Sequence, residues 1–504
     1  MKTARDMLAV TRRRAPSRSS ARLPTRITLS LDAMLALGTF VVLALALLLG
    51  GGTQQGYWSD AAVQFASLPL IAAAAMGLAK SHVSRTAKWA LILLCIGLAL
   101  PLIQLIPLPP AIWSAFPGRA AFVKTYRLVG LAPGWAPLSL DPEATWYSFA
   151  ALLPAAAIFL AVLPLEWKVR RVLVGLVLAI SVASVVLGVL QVIGGPDSPL
   201  RFFSLTNVDR PVGFFANANH QAALLYSAAP LAFALALDAV HRQNESRSMR
   251  SSRAVGNPGL IFKLVAIGLV LAMVAIGLIG TQSRAGLGLG LVAGLSCVAM
   301  SRISSRGSAK LYLILLTAIL FGLAIYLQFA VVNLAERIDA GEDVAALRST
   351  FATVTWHAVL SFLPLGSGFG SFVPIYDMFS PYPLLGHRYV NHAHNDWLEL
   401  MLTGGVPVMA FAVCFLVLLA AEIIPVWRSK PDGAQFPNLA RGASIVVVLL
   451  LVHSTVDYPL RTTAVSALFA LACGLLIEPA KTKGVGRGNS PAFQEPDLRA
   501  VARP

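Results

Sequence analysis

Charge is what this sequence has least of. Only 12% of its 504 residues are Asp, Glu, Lys or Arg, about half the share in an average soluble protein, while 57% are apolar. That balance excludes a soluble globular enzyme and a disordered chain. Cysteine is scarce too: Cys95, Cys297, Cys414 and Cys473 each lie in a separate apolar run. They read as small buried hydrophobes, which excludes a disulfide scaffold and leaves no spacing for zinc, haem or a redox pair. The chain has no Walker A loop and no internal repeat. Acidic residues number 23 against 40 basic ones, a formal charge of +17. In a soluble chain that excess would suggest nucleic acid. With a mean hydropathy of +0.72 it instead suggests loops held in the cytoplasm, so no nucleic-acid partner is expected.

What is there is long apolar runs. A bilayer core about 30 Å thick needs about 20 apolar residues per helix. Twelve spans are predicted: 31–50, 61–79, 89–108, 147–164, 172–193, 221–237, 264–280, 286–300, 311–332, 397–423, 443–455 and 463–477. The eighth and eleventh are the shortest. The fold expected is an all-α polytopic membrane protein with a large loop before the tenth helix. Residues 1–30 form a basic tail before an uncleaved signal anchor, and 31–332 carry spans one to nine. Residues 333–396 form the large outer loop with short helices, including a helical stretch near 348–363. Residues 397–477 carry the last three spans, and 478–504 a tail rich in Gly, Pro and Lys.

Alternating the spans from an inside N-terminus puts thirty Lys/Arg on one side and ten on the other. Acidic residues show no such bias, as the positive-inside rule expects. Both termini are therefore expected in the cytoplasm. No Asp, Glu, Lys or Arg falls at the middle of a span, which argues against an ion-coupled transporter.

The unusual polar residues collect on the outer face. The segment Asp209–Gln221 contains Arg210, Asn217, Asn219 and His220 and leads into the sixth span. Gly280-Thr-Gln-Ser283-Arg284-Ala-Gly286 is a tight turn. Arg284 there is either a snorkelling anchor or a bidentate clamp for phosphate, and Arg210 has the same two readings. Two converging arginines would suit a diphosphate. Residues 386–397 hold His387, Arg388, Asn391, His392, His394, Asn395 and Asp396. Histidine there suits a general base; the run has no carboxylate or cysteine shell that suggests zinc. Asn395 and Asp396 also read as N-cap residues. The 217–221 run either caps its helix or lines a sugar site. Asp457 and Arg461 are expected to pair with one another.

These residues resemble the O-antigen ligase and polymerase superfamily of bacterial envelopes. The resemblance rests on the Ser283-Arg284-Ala-Gly286 turn and the long outer loop. It rests also on the glycine-rich stretch Pro364-Leu-Gly-Ser-Gly-Phe-Gly-Ser-Phe372, on His394-Asn-Asp-Trp-Leu-Glu399 and on Asp457-Tyr-Pro-Leu460, and it runs from about Pro199 to Pro459. The ligase pattern puts Gly nine residues after His-Asn, where Gly405 stands. Its last position, three residues on, is Gly, Thr or Tyr, where this chain has Val408, a departure that favours a polymerase.

The resemblance implies metal-independent, inverting glycan transfer at the periplasmic face of the bacterial inner membrane, without cofactor. The donor would be a glycan on undecaprenyl diphosphate. The acceptor would be lipid A–core, or a second lipid-linked glycan in a polymerase. His394 matches the base, Arg284 a catalytic diphosphate-binding arginine and Arg210 a second. Asn217, Asn219, His220, His392, Asn395, Arg388 and Asp457 are candidates for binding acceptor or glycan. The alternatives are an exopolysaccharide polymerase, a protein O-oligosaccharyltransferase, or a non-enzymatic transporter of lipid-linked glycans.

Overall fold

A computed structural model describes residues 30–54, 56–203, 208–249, 258–304, 344–381, 390–429 and 437–482. Fifteen α-helices form within them. The first seven are α1 (Leu31–Leu49), α2 (Trp58–Ala79), α3 (Arg85–Gln104), α4 (Pro110–Trp113), α5 (Ala120–Leu128), α6 (Pro142–Val162) and α7 (Trp167–Ile193). Then come α8 (Ala218–Met249), α9 (Pro258–Gly280), α10 (Arg284–Ser304), α11 (Val344–Phe362) and α12 (Phe372–Phe379). The last are α13 (Asp396–Arg428), α14 (Pro437–His453) and α15 (Thr463–Leu476).

Among the described residues, nine helices are long and apolar enough to cross a membrane, and α14 and α15 are shorter apolar helices. They coincide with eleven of the predicted spans; the ninth, 311–332, lies outside the described residues. The eighth span proves full-length as α10, and the shortest is α15, with 14 residues. A 14-residue helix rises only about 21 Å. It need not match the lipid core in length, because eleven of its residues are buried among its neighbours.

Capping starts several of these helices where the sequence supplies an acceptor. Ser30, Ser84, Asp141, Asn395 and Thr462 each accept a backbone N–H of the first turn. The bundle centres on α8, whose apolar middle is buried on all sides by α7, α9, α10 and α14. Small residues set the closest approaches: a Cβ on Gly286 of α10 would stand 2.4 Å from Cβ of Ala222 on α8.

The two ends of the bundle differ. At one, the end of α2 meets Pro164, Ala480 N–H bonds Leu163 O, and Ser81–His82 pairs antiparallel with Lys481–Thr482. Lys80, Arg85, Lys88, Lys168, Arg170, Arg171, Arg242, Lys263, Arg302, Arg428 and Arg441 sit here, and we call it the basic end. At the other, Gly50 and Gly51 after α1 pack on Thr463 and Phe215. Pro107–Leu108 pairs there with Ala136–Pro137.

Two of the arginines at the basic end hold helix termini. Arg170 is fully buried and donates to the carbonyls of Leu163, Leu165, Gly474 and Ile477. It thereby serves the C-termini of α6 and α15. Arg441, equally buried, donates to Val426 O and Ser429 O at the end of α13.

The glycine-rich stretch does more than link two helices. It packs into a break in α13 at Gly405, whose φ of 59° and ψ of −153° no side-chain-bearing residue tolerates. The carbonyls freed by the break are taken up from outside the helix. Ser367 N–H donates to Leu402 O at 2.9 Å, and Gly368 N–H to Thr403 O at 3.0 Å. The Gln104 side chain donates to Thr403 O at 3.1 Å. Irregular backbone in a membrane segment survives only when protein satisfies it. A Cβ on Gly405 would stand 2.2 Å from Pro364 O. Gly405→Ala is therefore expected to cost about 1–3 kcal/mol from the backbone alone, with the clash in addition. Thermal unfolding of the purified variant checks this; an unchanged midpoint would contradict it.

Candidate active site

The site lies at the end opposite the basic one, where α7 and α9 finish and α8, α10, α13 and α15 begin. Its centre is Asp457-Tyr458, in the short link between α14 and the 3-10 turn Pro459–Arg461. Asp457 is fully buried and accepts three donors: His394 Nδ1 at 3.0 Å and Tyr458 N–H at 3.0 Å on Oδ1, and Asn219 Nδ2 on Oδ2. Burial alone would raise this carboxyl. The His394 hydrogen bond and the imidazoles of His394, His220 and His453 outweigh it and hold the pKa well below the usual carboxylate range.

An ionised Asp457 can only accept, so Nδ1 of His394 carries a proton. Neutral His394 then keeps its lone pair on Nε2. The His394 side chain stays 23% exposed, so that nitrogen has a route to a ligand. His394 stands at φ 52°, a left-handed conformation uncommon outside glycine. Its ring lies between the Phe351 ring of α11, stacked at 6.0 Å, and the edge of Tyr458 at 5.0 Å. Helix α11 thus covers the histidine.

His392 repeats the arrangement with another carboxylate. Its Nδ1 lies 3.0 and 3.2 Å from the two oxygens of Glu399. Glu399 is nearly fully buried, accepts Ala393 N–H, and lies 3.3 Å from Nη1 of Arg461. Arg461 Nε donates to Asp396 at 2.9 Å, and Ser454 donates to the other Asp396 oxygen, also at 2.9 Å. Arg461 therefore pairs with Asp396 and Glu399, not with Asp457 as expected. Asn395 caps α13, and Asp396 is the first helical residue, its carboxylate committed to Arg461 and Ser454.

The structure brings most of the remaining candidates to this cluster in supporting positions. Asn217 precedes α8 and accepts Asn219 N–H at 2.8 Å, so it caps the helix. Its side chain and that of Asn391 both meet the Tyr458 hydroxyl. His220 is fully buried with its ring edge on Tyr458 at 5.0 Å, so it supports Tyr458 from within and presents nothing to a glycan. Arg388 and His387 lie outside the described residues. Tyr458, Glu399, Phe351 and the buried pair Tyr226–His453 (2.9 Å) were not among the expected site residues. The spacing of His392 and Glu399, seven apart with Glu399 in the first turn of a helix, is a signal for that pair.

The two arginines lie at the same end of the bundle as this cluster. Arg284 is the first residue of α10, exposed, with no hydrogen-bond or ion-pair partner among the described residues. Ser283 caps that helix through Gly286 N–H at 3.0 Å. A cation at a helix N-terminus opposes the helix dipole, so the fold gains nothing from it there. An anion at the same place would satisfy both. Gly286 abuts Ala222, two residues beyond His220 on α8, which ties the turn to the cluster. Arg210 instead has its Nε 3.5 Å from its neighbour Asp209. The next residue, Pro211, packs on Gly280 at the start of the Arg284 turn, so the two arginines share one end of the bundle.

Together these features define a polytopic helical membrane protein with a carboxylate–histidine site at one membrane face. Residues 268–413 match the O-antigen ligase family, and this match supports the O-antigen ligase superfamily. The match spans Arg284, His392, His394, Glu399 and Gly405, but not Arg210, Asn219 or Asp457. No curated protein matches the chain. The family carries with it glycan transfer of the O-antigen ligase or polymerase type, with lipid-linked glycan substrates.

Proposed function

We propose that the chain transfers a glycan from undecaprenyl diphosphate to a sugar hydroxyl of lipid A–core at the periplasmic face. The observation that carries this reading is His394, its Nδ1 fixed by buried Asp457 and its side chain 23% exposed at an end of the bundle that also bears Arg284. Nε2 of His394 takes the acceptor hydroxyl proton as that oxygen bonds the anomeric carbon. The bond from that carbon to the diphosphate oxygen breaks, and the electron pair leaves with the diphosphate. Attack opposite the leaving group inverts the centre. Arg284, with Arg210 beside it, and the N-terminus of α10 stabilise the charge that builds on the diphosphate. His394 is preferred to His392 because its side chain is more open, 23% against 12%.

The donor's lipid fits a groove of about 420 Å³ between α3, α6, α13 and α15. Apolar side chains such as Leu94, Phe159, Phe411, Phe415 and Phe469 line it, and it begins at Asp396, Trp397 and Ser454 beside the Arg461 cluster. Its far end is at Leu476 and Ile477, so it follows the membrane depth.

Arg284→Ala and His394→Ala are each expected to abolish transfer while the protein remains in the membrane. Arg284→Lys is expected to lose most activity, since a point charge does not replace the guanidinium fork. Normal glycan on lipid A–core in either alanine variant sinks the role given to that residue. Transfer by purified protein in detergent, without a gradient, separates an enzyme from a transporter. Val408, which packs against Gly404, favours a polymerase as the second reading. A deletion that leaves bare core with long lipid-linked chains supports the ligase; a single repeat on core supports the polymerase.

A further inference from the structure

The basic end holds a second cavity, unrelated to the chemistry above. It has a volume of about 660 Å³ and opens between the start of α7, the end of the α8 span and the start of α9. That size falls in the range of ligand pockets, about 300–1,000 Å³. Three cationic side chains from three helices line it: Arg171 of α7, Arg242 of α8 and Lys263 of α9. Among the described residues, no acidic one does. The nearby carboxylate, Asp238, has one oxygen held by Asn438 of α14 at 3.0 Å and interacts electrostatically with Arg171.

Two of the cations are steadied by their own helices. Arg171 Nε donates to Trp167 O at 3.3 Å, and Arg242 Nε to Asp238 O at 3.1 Å. Basic residues that only fix topology have no reason to converge on one cavity. Below them the walls are apolar, formed by Leu235, Ala266 and Ile267. Of the neighbouring α9 only Val274, Gly277 and Leu278, far from the pocket, are buried, so lipid reaches the pocket from the side.

We propose that this pocket binds an anionic glycerophospholipid of the adjacent leaflet. Arg171, Arg242 and Lys263 hold its phosphate, and its acyl chains lie along the apolar walls. A strip of positive charge above an apolar cleft between membrane helices is the chemistry that recognises such headgroups.

Native mass spectrometry of the purified full-length chain in neutral detergent tests this, with dioleoyl phosphatidylglycerol titrated against dioleoyl phosphatidylcholine. Retention of phosphatidylglycerol over phosphatidylcholine is expected, with a loss of roughly fivefold in that preference per cation removed. Lys263→Gln tests it at an exposed position that leaves the helix packing intact; Arg171→Gln/Arg242→Gln/Lys263→Gln should abolish the preference. A control variant, Lys80→Gln/Lys88→Gln/Lys168→Gln, alters the same end outside the pocket and should retain it. Equal retention of both lipids, an unchanged preference in Lys263→Gln, or an equal loss in the control variant overturns the proposal. Full competition by millimolar inorganic phosphate also overturns it, by showing an anion site that needs no lipid.

Discussion

Asp457→Asn is expected to lower glycan transfer by about 10²–10⁴-fold, the usual worth of a general base. The substitution keeps the shape and removes one property, the capacity to accept at both oxygens. Asp457 receives His394 and Tyr458 on one oxygen and Asn219 on the other. An asparagine must turn its NH2 toward one of these donors. If it faces His394, the imidazole loses the partner that keeps the proton on Nδ1 and the lone pair on Nε2. If it faces Asn219, a buried donor goes unpaired, at about 1–3 kcal/mol. Either way the imidazolium formed during transfer loses its counter-charge. Initial rates per amount of monodisperse protein separate the catalytic loss from the folding loss. A rate close to that of the unsubstituted protein would remove Asp457 from the mechanism.

The same residue gives a pH dependence of stability. Its folded pKa is depressed, so its contribution is complete above the unfolded carboxylate value, about 4, and is lost as pH falls below it. The stability difference between the unsubstituted protein and Asp457→Asn should narrow on acidification through that range. A constant difference would mean that the carboxylate is not ionised in the fold.

The helices were legible in the sequence because one physical term, burial of apolar surface in lipid, dominates their formation. Runs of apolar residues and the acceptors before them, such as Ser84 and Asn395, mark where helices begin. Pairing between distant residues was not legible in the same way. Asp457 and Arg461 are four apart and of opposite charge, which suggests a local pair. The 3-10 turn between them points Arg461 at α13, where Asp396 and Glu399 face it, and leaves Asp457 for His394 and Asn219. Buried Arg170 and Arg441 were hidden for another reason. Arginines in membrane loops are expected for topology, and only the fold reveals which of them meet helix-end carbonyls. Gly405 stood in the sequence as a motif position; its physical reason is the break in α13 that lets 364–370 pack against Leu402 and Thr403.

Arg461→Met is expected to be the most damaging single change to stability, by about 3–5 kcal/mol. Arg461 holds two carboxylates, Asp396 and Glu399, which are 4% and 1% exposed. Burial alone would lower its pKa, and the two acids more than offset that, keeping the guanidinium firmly charged. Methionine fills similar volume but leaves both acids without their cation, and removing one member of a buried ion cluster is costly. The damage reaches the site, because Glu399 also anchors His392 and Ala393 N–H, and the segment they hold carries His394. Lysine restores the charge but not two directed donors, so Arg461→Lys should recover only part of the loss. Adding Glu399→Gln to Arg461→Met should also recover part, since one unpaired charge is removed, whereas Glu399→Gln alone should destabilise. Thermal unfolding of the purified variants in detergent measures all four, alongside retention of the monodisperse form. A midpoint for Arg461→Met within about 2 °C of the unsubstituted protein would show that the cluster contributes little to the fold.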